Sequence, residues 1–127
     1  MSGIYELMIE TVETDIPKIF HIKKEDIKDL LGIQYTMETV DLTKDGRIKL
    51  PAVMVAEIKS GSISEKVGMK LGSVIEEVNG VPIDVDTYHR EIAKHKDFTL
   101  KVNESFCPIY KFVMSVPELS EKITFHK

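Results

Sequence analysis

The sequence predicts a small α+β domain of five to six β-strands and two helices, and three local patterns support this class. Short stretches in which apolar and polar residues alternate are typical of strands with one buried face. Asn79-Gly80 stands between two such stretches and favours a tight hairpin turn. Residues 62–65 have the spacing of a helix capping box, and Tyr88 and Ile92 lie one turn apart on the face of a second helix.

The composition is that of one folded domain. The 127 residues are a usual length for a single domain, and 43% of them are hydrophobic while 30% are charged. The 17 basic and 21 acidic residues are interspersed and give a formal net charge of -4, so we expect no nucleic-acid partner. The single cysteine, Cys107, excludes an internal disulfide and a cysteine-only metal cluster.

We expect no membrane insertion of this chain. No apolar run approaches the roughly 20 residues that span a bilayer, and the longest covers only residues 51–56. Residues 1–6 have neither the basic start nor the long apolar core of a signal peptide. A cytoplasmic location follows if the chain is native and complete, whereas the location is unknown if the chain was excised from a longer protein.

Residues 1–29 are expected to form an N-terminal extension of strand and helix that can pack on the domain. Residues 4–12 satisfy both the strand period and the helical spacing. Residues 16–22 are β-branched and aromatic, but Pro17 restricts them to an edge strand or an extended segment. Lys24 to Leu31 then predicts a short helix, which the following glycine can end in a left-handed conformation.

The next part of the chain predicts a hairpin followed by a short helix. Residues 33–40 and 48–58 are strand-like on either side of a polar turn at 44–47. The helix that follows the capping box should stop at Gly68, with Met69 packed beneath it.

The second half predicts strands on both sides of the second helix. Residues 73–78 favour a strand in which Val74 and Val78 share one face, while Ile75 is more exposed or shared with a second layer. The short strand 81–83 follows the Asn-Gly turn.

The end of the chain predicts a helix and two further strands. Asp84 or Asp86 can cap the helix. Residues 98–102 alternate, with their even-numbered members inward, and a loop at 103–108 leads to a final strand at 109–116.

Residues 61–80 carry the most specific pattern in the chain. A Gly-Ser cap precedes a short helix that ends in Val-Gly-Met, and Leu-Gly-Ser, an apolar isoleucine and Val-Asn-Gly follow. In this order they resemble the central signature of PDZ domains, and the strands after the second helix are similar to the bacterial type found in high-temperature-requirement and site-2 proteases. The resemblance covers roughly residues 30–116, although Ile63-Ser64 replaces the usual Pro-Ala and Ser73 replaces the usual Asp.

The resemblance implies a PDZ-like, partly open β-barrel or sandwich of five to six strands capped by two helices. This domain would span residues 30–117. The extension 1–29 would precede it, and a C-terminal tail, 118–127, would follow it.

The resemblance also implies a peptide-binding site. PDZ domains hold an extended peptide, often a free C-terminus, as an added strand between their second strand and second helix. The corresponding residues here are Leu30, Leu31, Gly32, Ile33, Gln34, Tyr35, Tyr88 and Ile92.

For two parts of this predicted site, a purely structural role is the alternative to ligand binding. Backbone N–H groups at residues 31–33 would receive the ligand carboxylate, or Gly32 only ends the preceding helix. Tyr88 and Ile92 would line the groove, or they simply fill the core.

A non-enzymatic protein-interaction module that binds a protein or peptide C-terminus is therefore the expected function. The alternative is an assembly or regulatory domain with a self-occupied or disused groove, which includes a homo-oligomer and a domain cut from a larger PDZ-containing protease. No nucleophile elbow, phosphate loop or dinucleotide fingerprint is present, so we expect neither catalysis nor a cofactor. The histidines lack the i, i+4 spacing of helical metal pairs, so no metal site is expected.

Overall fold

The chain folds into antiparallel sheets covered by short helices. The computed structural model describes residues 14–42, 49–121 and 125–126, the last two by their backbone alone. The strands are β1 Pro17–Lys23, β2 Ile33–Thr36, β3 Val40–Asp41, β4 Lys49–Leu50, β5 Val55–Ile58, β6 Val74–Val78, β7 Val81–Pro82, β8 Asp97–Asn103 and β9 Phe125–His126. The helices are α1 Ile63–Val67, α2 Tyr88–Ala93, α3 Cys107–Met114 and α4 Pro117–Ser120.

The strands of the described residues form three sheets. One has the order β1-β8-β6-β7, a second has the order β5-β2-β9, and β3 pairs with β4. An isolated bridge between Met54 and Val74 links the first two sheets. The α+β class is therefore confirmed, and the strands that the structure describes do not close into a barrel. The described residues form more strands and helices than the sequence predicted. Several of the additional strands have only two residues, and α3 and α4 follow β8.

Strand β1 forms an edge of the four-stranded sheet, as the proline at its start predicts. All seven of its residues pair with β8, from Pro17 opposite Asn103 to Lys23 opposite Asp97. Ile22 is buried and packs into the core. Residues 17–23 of the expected N-terminal extension are thus paired into the sheet. The segment 4–12 and the turn 44–47 lie outside the described residues.

The helix predicted over Lys24 to Leu31 is wrong, because this segment forms bends and turns. The Asp26 carboxylate accepts from the N–H of Lys28 at 2.9 Å, and the Asp29 carboxylate accepts from that of Leu31 at 2.7 Å. Aspartate side chains that bond to the backbone two residues later compete with helical hydrogen bonds. Two successive turns of this kind replace the helix.

Helix α1 forms as its sequence predicts. The Ser62 hydroxyl accepts from the N–H of Glu65 at 3.3 Å, while the Glu65 carboxylate accepts from the N–H of Gly61 at 3.0 Å. Gly68 ends the helix at a φ of 86°, in the left-handed region that glycine adopts without strain. Met69 is buried beneath it, as expected.

The side chains of β6 do not alternate between buried and exposed positions as predicted. Its pairing with β8 shifts register between Ile75 and Glu77, which is a β-bulge. The bulge turns Ile75 and Val78 both toward the core and leaves Val74 only partly buried. The expectation that Val74 and Val78 share the buried face is therefore wrong.

The final strand predicted over residues 109–116 is also wrong, because helix α3 occupies most of this range. Pro108 stands in its first turn, where its missing N–H costs nothing. Ile109 and Val113, four residues apart, are both buried against a second hydrophobic cluster. The helix comes so close to Gly72 that a Cβ there would lie 2.8 Å from the Cβ of Tyr110.

The core has two parts. The larger part lies between the sheets and α2, and the predicted inward residues of β8, Phe98, Leu100 and Val102, all belong to it. The second part lies under α3 and contains residues of β3, β4 and the segment that leads into β5. Helix α3 therefore covers apolar surface that the sheets alone would leave exposed.

A bulge in β5 is hydrogen-bonded by a side chain of α3. Gln34 pairs with Glu57 and Tyr35 pairs with Val55, so Ala56 has no partner residue in β2. The buried Tyr110 hydroxyl donates to the Ala56 carbonyl at 2.6 Å, which satisfies this bulged residue.

Replacing this hydroxyl should destabilise the fold. We expect Tyr110→Phe to lower the free energy of unfolding by about 1 to 3 kcal/mol, because a buried carbonyl loses its donor. Tyr88→Phe is the matched control, since the buried Tyr88 hydroxyl has no hydrogen-bond partner among the residues described. Urea denaturation measures both variants. An equal loss of stability in the two would contradict this role for Tyr110.

Candidate functional site

The predicted site residues lie along β2, in the loop before it and on α2. The rings of Tyr35 and Tyr88 meet edge to face, with their centroids 4.9 Å apart and their planes at 80°. The ring of His89 lies 5.4 Å from that of Tyr35. The structure thus brings β2 and α2 together through aromatic side chains.

The loop that was expected to receive a carboxylate is held by its own chain. Leu31 and Gly32 both have positive φ, at 68° and 72°. The N–H of Leu31 already donates to the Asp29 carboxylate, while the carbonyls of Leu31 and Gly32 accept from the N–H groups of Ser64 and Lys59 at 3.3 and 2.7 Å. An incoming carboxylate would therefore compete with Asp29 for the first amide of the loop.

Gly32 is required where it stands for a reason unrelated to a helix end. A Cβ on Gly32 would lie 2.3 Å from the Cβ of Ser62, which caps α1. Its alternative interpretation, the end of a preceding helix, is wrong because the described residues just before it, 24–31, form bends and turns. The close approach fixes the start of β2 against the start of α1.

The exposure of the other predicted residues is uneven. Leu30 exposes 43% of its surface, whereas Leu31, Tyr88 and Ile92 are fully buried and Tyr35 nearly so. Ile33 and Gln34 are partly exposed. Burial raises the pKa of the Tyr88 hydroxyl far above its usual range, with a smaller contribution from Tyr35, so this group stays protonated. In the described conformation Tyr88 and Ile92 pack within the core.

A buried lysine that was not among the predicted site residues links two elements of the site. The Lys24 ammonium donates to the carbonyls of Ile27 and Ile92, which joins the loop before β2 to the last turn of α2. It also lies 5.4 Å from the centre of the Phe98 ring. Desolvation lowers its pKa, and the nearby Asp29 carboxylate opposes this effect. A cation at the C-terminal end of a helix is electrostatically favourable.

The outer edge of β2 is occupied by the end of the same chain. Tyr35 pairs with His126 and Thr36 pairs with Phe125, in an antiparallel arrangement. Strand β2 therefore lies between β5 and β9. Since β9 is antiparallel to β2, its residue numbers rise toward the Leu30–Ile33 loop. The β-branched and aromatic run at residues 123–125 was the available sequence signal for this strand.

No catalytic chemistry is evident in the described parts of the chain. Burial raises the pKa of the Cys107 thiol, which makes the reactive thiolate scarcer at neutral pH. Within residues 14–42, 49–121 and 125–126, no group of three His, Cys, Asp or Glu side chains is placed to hold a metal ion. The helices found in these ranges are all too short or too polar to cross a bilayer.

No protein-family model matches the chain, and no curated protein matches its sequence. Its function is therefore inferred from its residues and their geometry.

The contact between Gly32 and Ser62 generates a stability prediction. Gly32→Ala should destabilise the fold by at least about 1 kcal/mol more than Gly80→Ala, because it adds a steric clash to the strain of positive φ. Gly80 is a matched control, since its φ of 77° is similar and a Cβ there meets no atom within 4 Å. Chemical denaturation compares the two. Equal losses would contradict close packing at Gly32.

Proposed function

We propose that this protein is a PDZ-like peptide-binding module in which β2 accepts an extended peptide as an added antiparallel strand. The observation that carries the proposal is the pairing of β9 with β2, because it places an extended segment on the strand edge where a ligand would add. In binding of this kind the backbone hydrogen bonds give the affinity, and side-chain pockets give the specificity.

The position of β2 supports the proposal. Among the described elements it is the second strand, and the ring of Tyr35 contacts that of Tyr88 on the second described helix. The loop Leu30–Ile33 stands at the end of β2 toward which an antiparallel ligand would run. A ligand C-terminus would thus approach the backbone amides of that loop.

In this proposal β9 is an intramolecular competitor. Helix α4 ends at Ser120 and β9 begins at Phe125, so the segment that joins them is short. A segment tethered in this way has an effective concentration on the order of millimolar, which a micromolar ligand in solution must overcome. The chain with its own tail in place should therefore bind external peptides weakly.

A second candidate is a regulatory or assembly domain whose groove is disused. Its support is the burial of Tyr35, Tyr88 and Ile92, because no ligand side chain can reach these residues as they stand. In this case β9 would be a permanent strand of the fold, and its removal would cost stability without creating a binding site.

Removing residues 122–127 tests the proposal. We expect the truncated chain to bind C-terminal peptides at least about ten-fold more tightly than the full chain, because the competing strand is gone. Fluorescence anisotropy with a random C-terminal library, and with a peptide of residues 121–127, measures the affinities. The matched control keeps the chain length but replaces residues 122–127 with glycine and serine, which have low strand propensity.

Each outcome decides between the candidates. The glycine-serine variant should bind peptides as the truncated chain does. Loss of folding stability on truncation, with no peptide bound by either variant, would overturn peptide binding and support the disused groove. Equal affinity of the full and truncated chains would show that β9 does not compete.

A further inference from the structure

A cleft lies between α3 and the turn before β6. Its volume is about 780 Å³, which is within the range of small-molecule sites in proteins. Leu71, Pro108, Tyr110 and Met114 form apolar walls. Leu71 and Met114 each expose 45% of their surface, so two large apolar side chains face an accessible space.

The polar groups within this cleft already have partners. The Tyr110 hydroxyl donates to the Ala56 carbonyl at 2.6 Å. The Cys107 sulfur lies 3.7 Å from the Ser73 hydroxyl, and burial raises the pKa of the thiol, which keeps it neutral. The described residues of the cleft interior therefore offer apolar contact and no charge.

The rim of the cleft is positively charged. Lys70 and Lys111 line it, and neither belongs to an ion pair of the described part of the chain. Among the described residues that line the cleft there is no Asp or Glu. The carboxylates that act on its walls are Glu57, near Tyr110, and Glu104, which pairs with a lysine of β1 at 3.8 Å. An apolar interior under a cationic rim is complementary to an anion with an apolar body.

We propose that this cleft binds a small amphipathic carboxylate. The apolar body packs against Leu71 and Met114, and the carboxylate pairs with the ammonium groups of Lys70 and Lys111. Burial of the apolar body supplies the affinity, while the two ion pairs at the solvent-exposed rim select the charged head group. The cleft shares no residue with the proposed peptide-binding site on β2 and α2. Failure of one proposal would therefore not affect the other.

Octanoate and 1-octanol test the proposal, because they have similar apolar bodies and differ in charge. The methyl group of Met114, observed by carbon-13 NMR in the full chain, should shift and saturate with octanoate. The methyl group of Met37 is the internal control, since Met37 exposes 38% of its surface and does not line the cleft. We expect octanol to bind at least about five-fold more weakly, the difference that two exposed ion pairs can provide.

Charge reversal at the rim tests whether the two lysine ammonium groups bind the carboxylate. The double variant Lys70→Glu/Lys111→Glu should weaken octanoate binding by at least about five-fold and leave octanol binding unchanged. The control Lys28→Glu/Lys96→Glu changes the net charge equally at lysines that do not line the cleft, and it should bind octanoate as the unmodified chain does.

Four results would overturn the proposal. A Met114 signal that never saturates would mean only non-specific partition of the amphiphile. Equal affinity for octanoate and octanol, or equal effects of the two double variants, would exclude recognition of the carboxylate. A Met114 shift that depends on protein concentration without added ligand would instead assign the cleft to contact between two copies.

Discussion

Strand β2 is paired along both of its edges, and the candidate site is organised around this double pairing. The N–H of Thr36 donates to the Met54 carbonyl at 3.0 Å, and the Thr36 carbonyl accepts from the N–H of Val53 at 2.9 Å. The polar backbone groups of Thr36 therefore face the β5 side. Because these groups alternate along a strand, those of Tyr35 face the opposite edge, where β9 lies. A segment of the same chain thus meets the backbone groups that an added peptide would need.

The elements around β2 are held by contacts among themselves, so in our proposal the backbone edge of β2 is the main recognition surface. Gly32 packs on the capping residue of α1, and the Lys24 ammonium joins the preceding loop to the end of α2. Tyr35 and Tyr88 fill the space between strand and helix with their own rings. In our proposal, affinity then comes chiefly from backbone pairing, which β9 can provide as well as an external peptide.

Local chemistry made part of this fold predictable. Asn79-Gly80 adopts the positive φ of a hairpin turn, and Gly68 ends α1, because each conformation depends on a few neighbouring residues. Helix α3 was missed although Pro108 and the spacing of Ile109 and Val113 were consistent with a helix, since a short apolar run suits a buried strand equally well.

The errors at the candidate site have a different cause. Strand β9 pairs with residues about ninety positions earlier in the chain, and such pairing leaves little local pattern. The Asp26 and Asp29 turns replace a helix whose apolar spacing was correct, because side-chain bonds to the backbone decided the conformation. The β2 strand itself and its closeness to α2 were expected, while the element that occupies its edge was not.

Amide hydrogen exchange at two adjacent residues tests the central claim most directly. In the full chain we predict that the Tyr35 amide, which faces β9, and the Thr36 amide, which faces β5, are both protected. Removal of residues 122–127 should abolish protection at Tyr35 alone, and a bound C-terminal peptide should restore it. Rapid exchange at Tyr35 in the full chain, or unchanged protection after truncation, would contradict the account. Either result would mean that β9 does not occupy the edge of β2 to which we propose that a peptide binds.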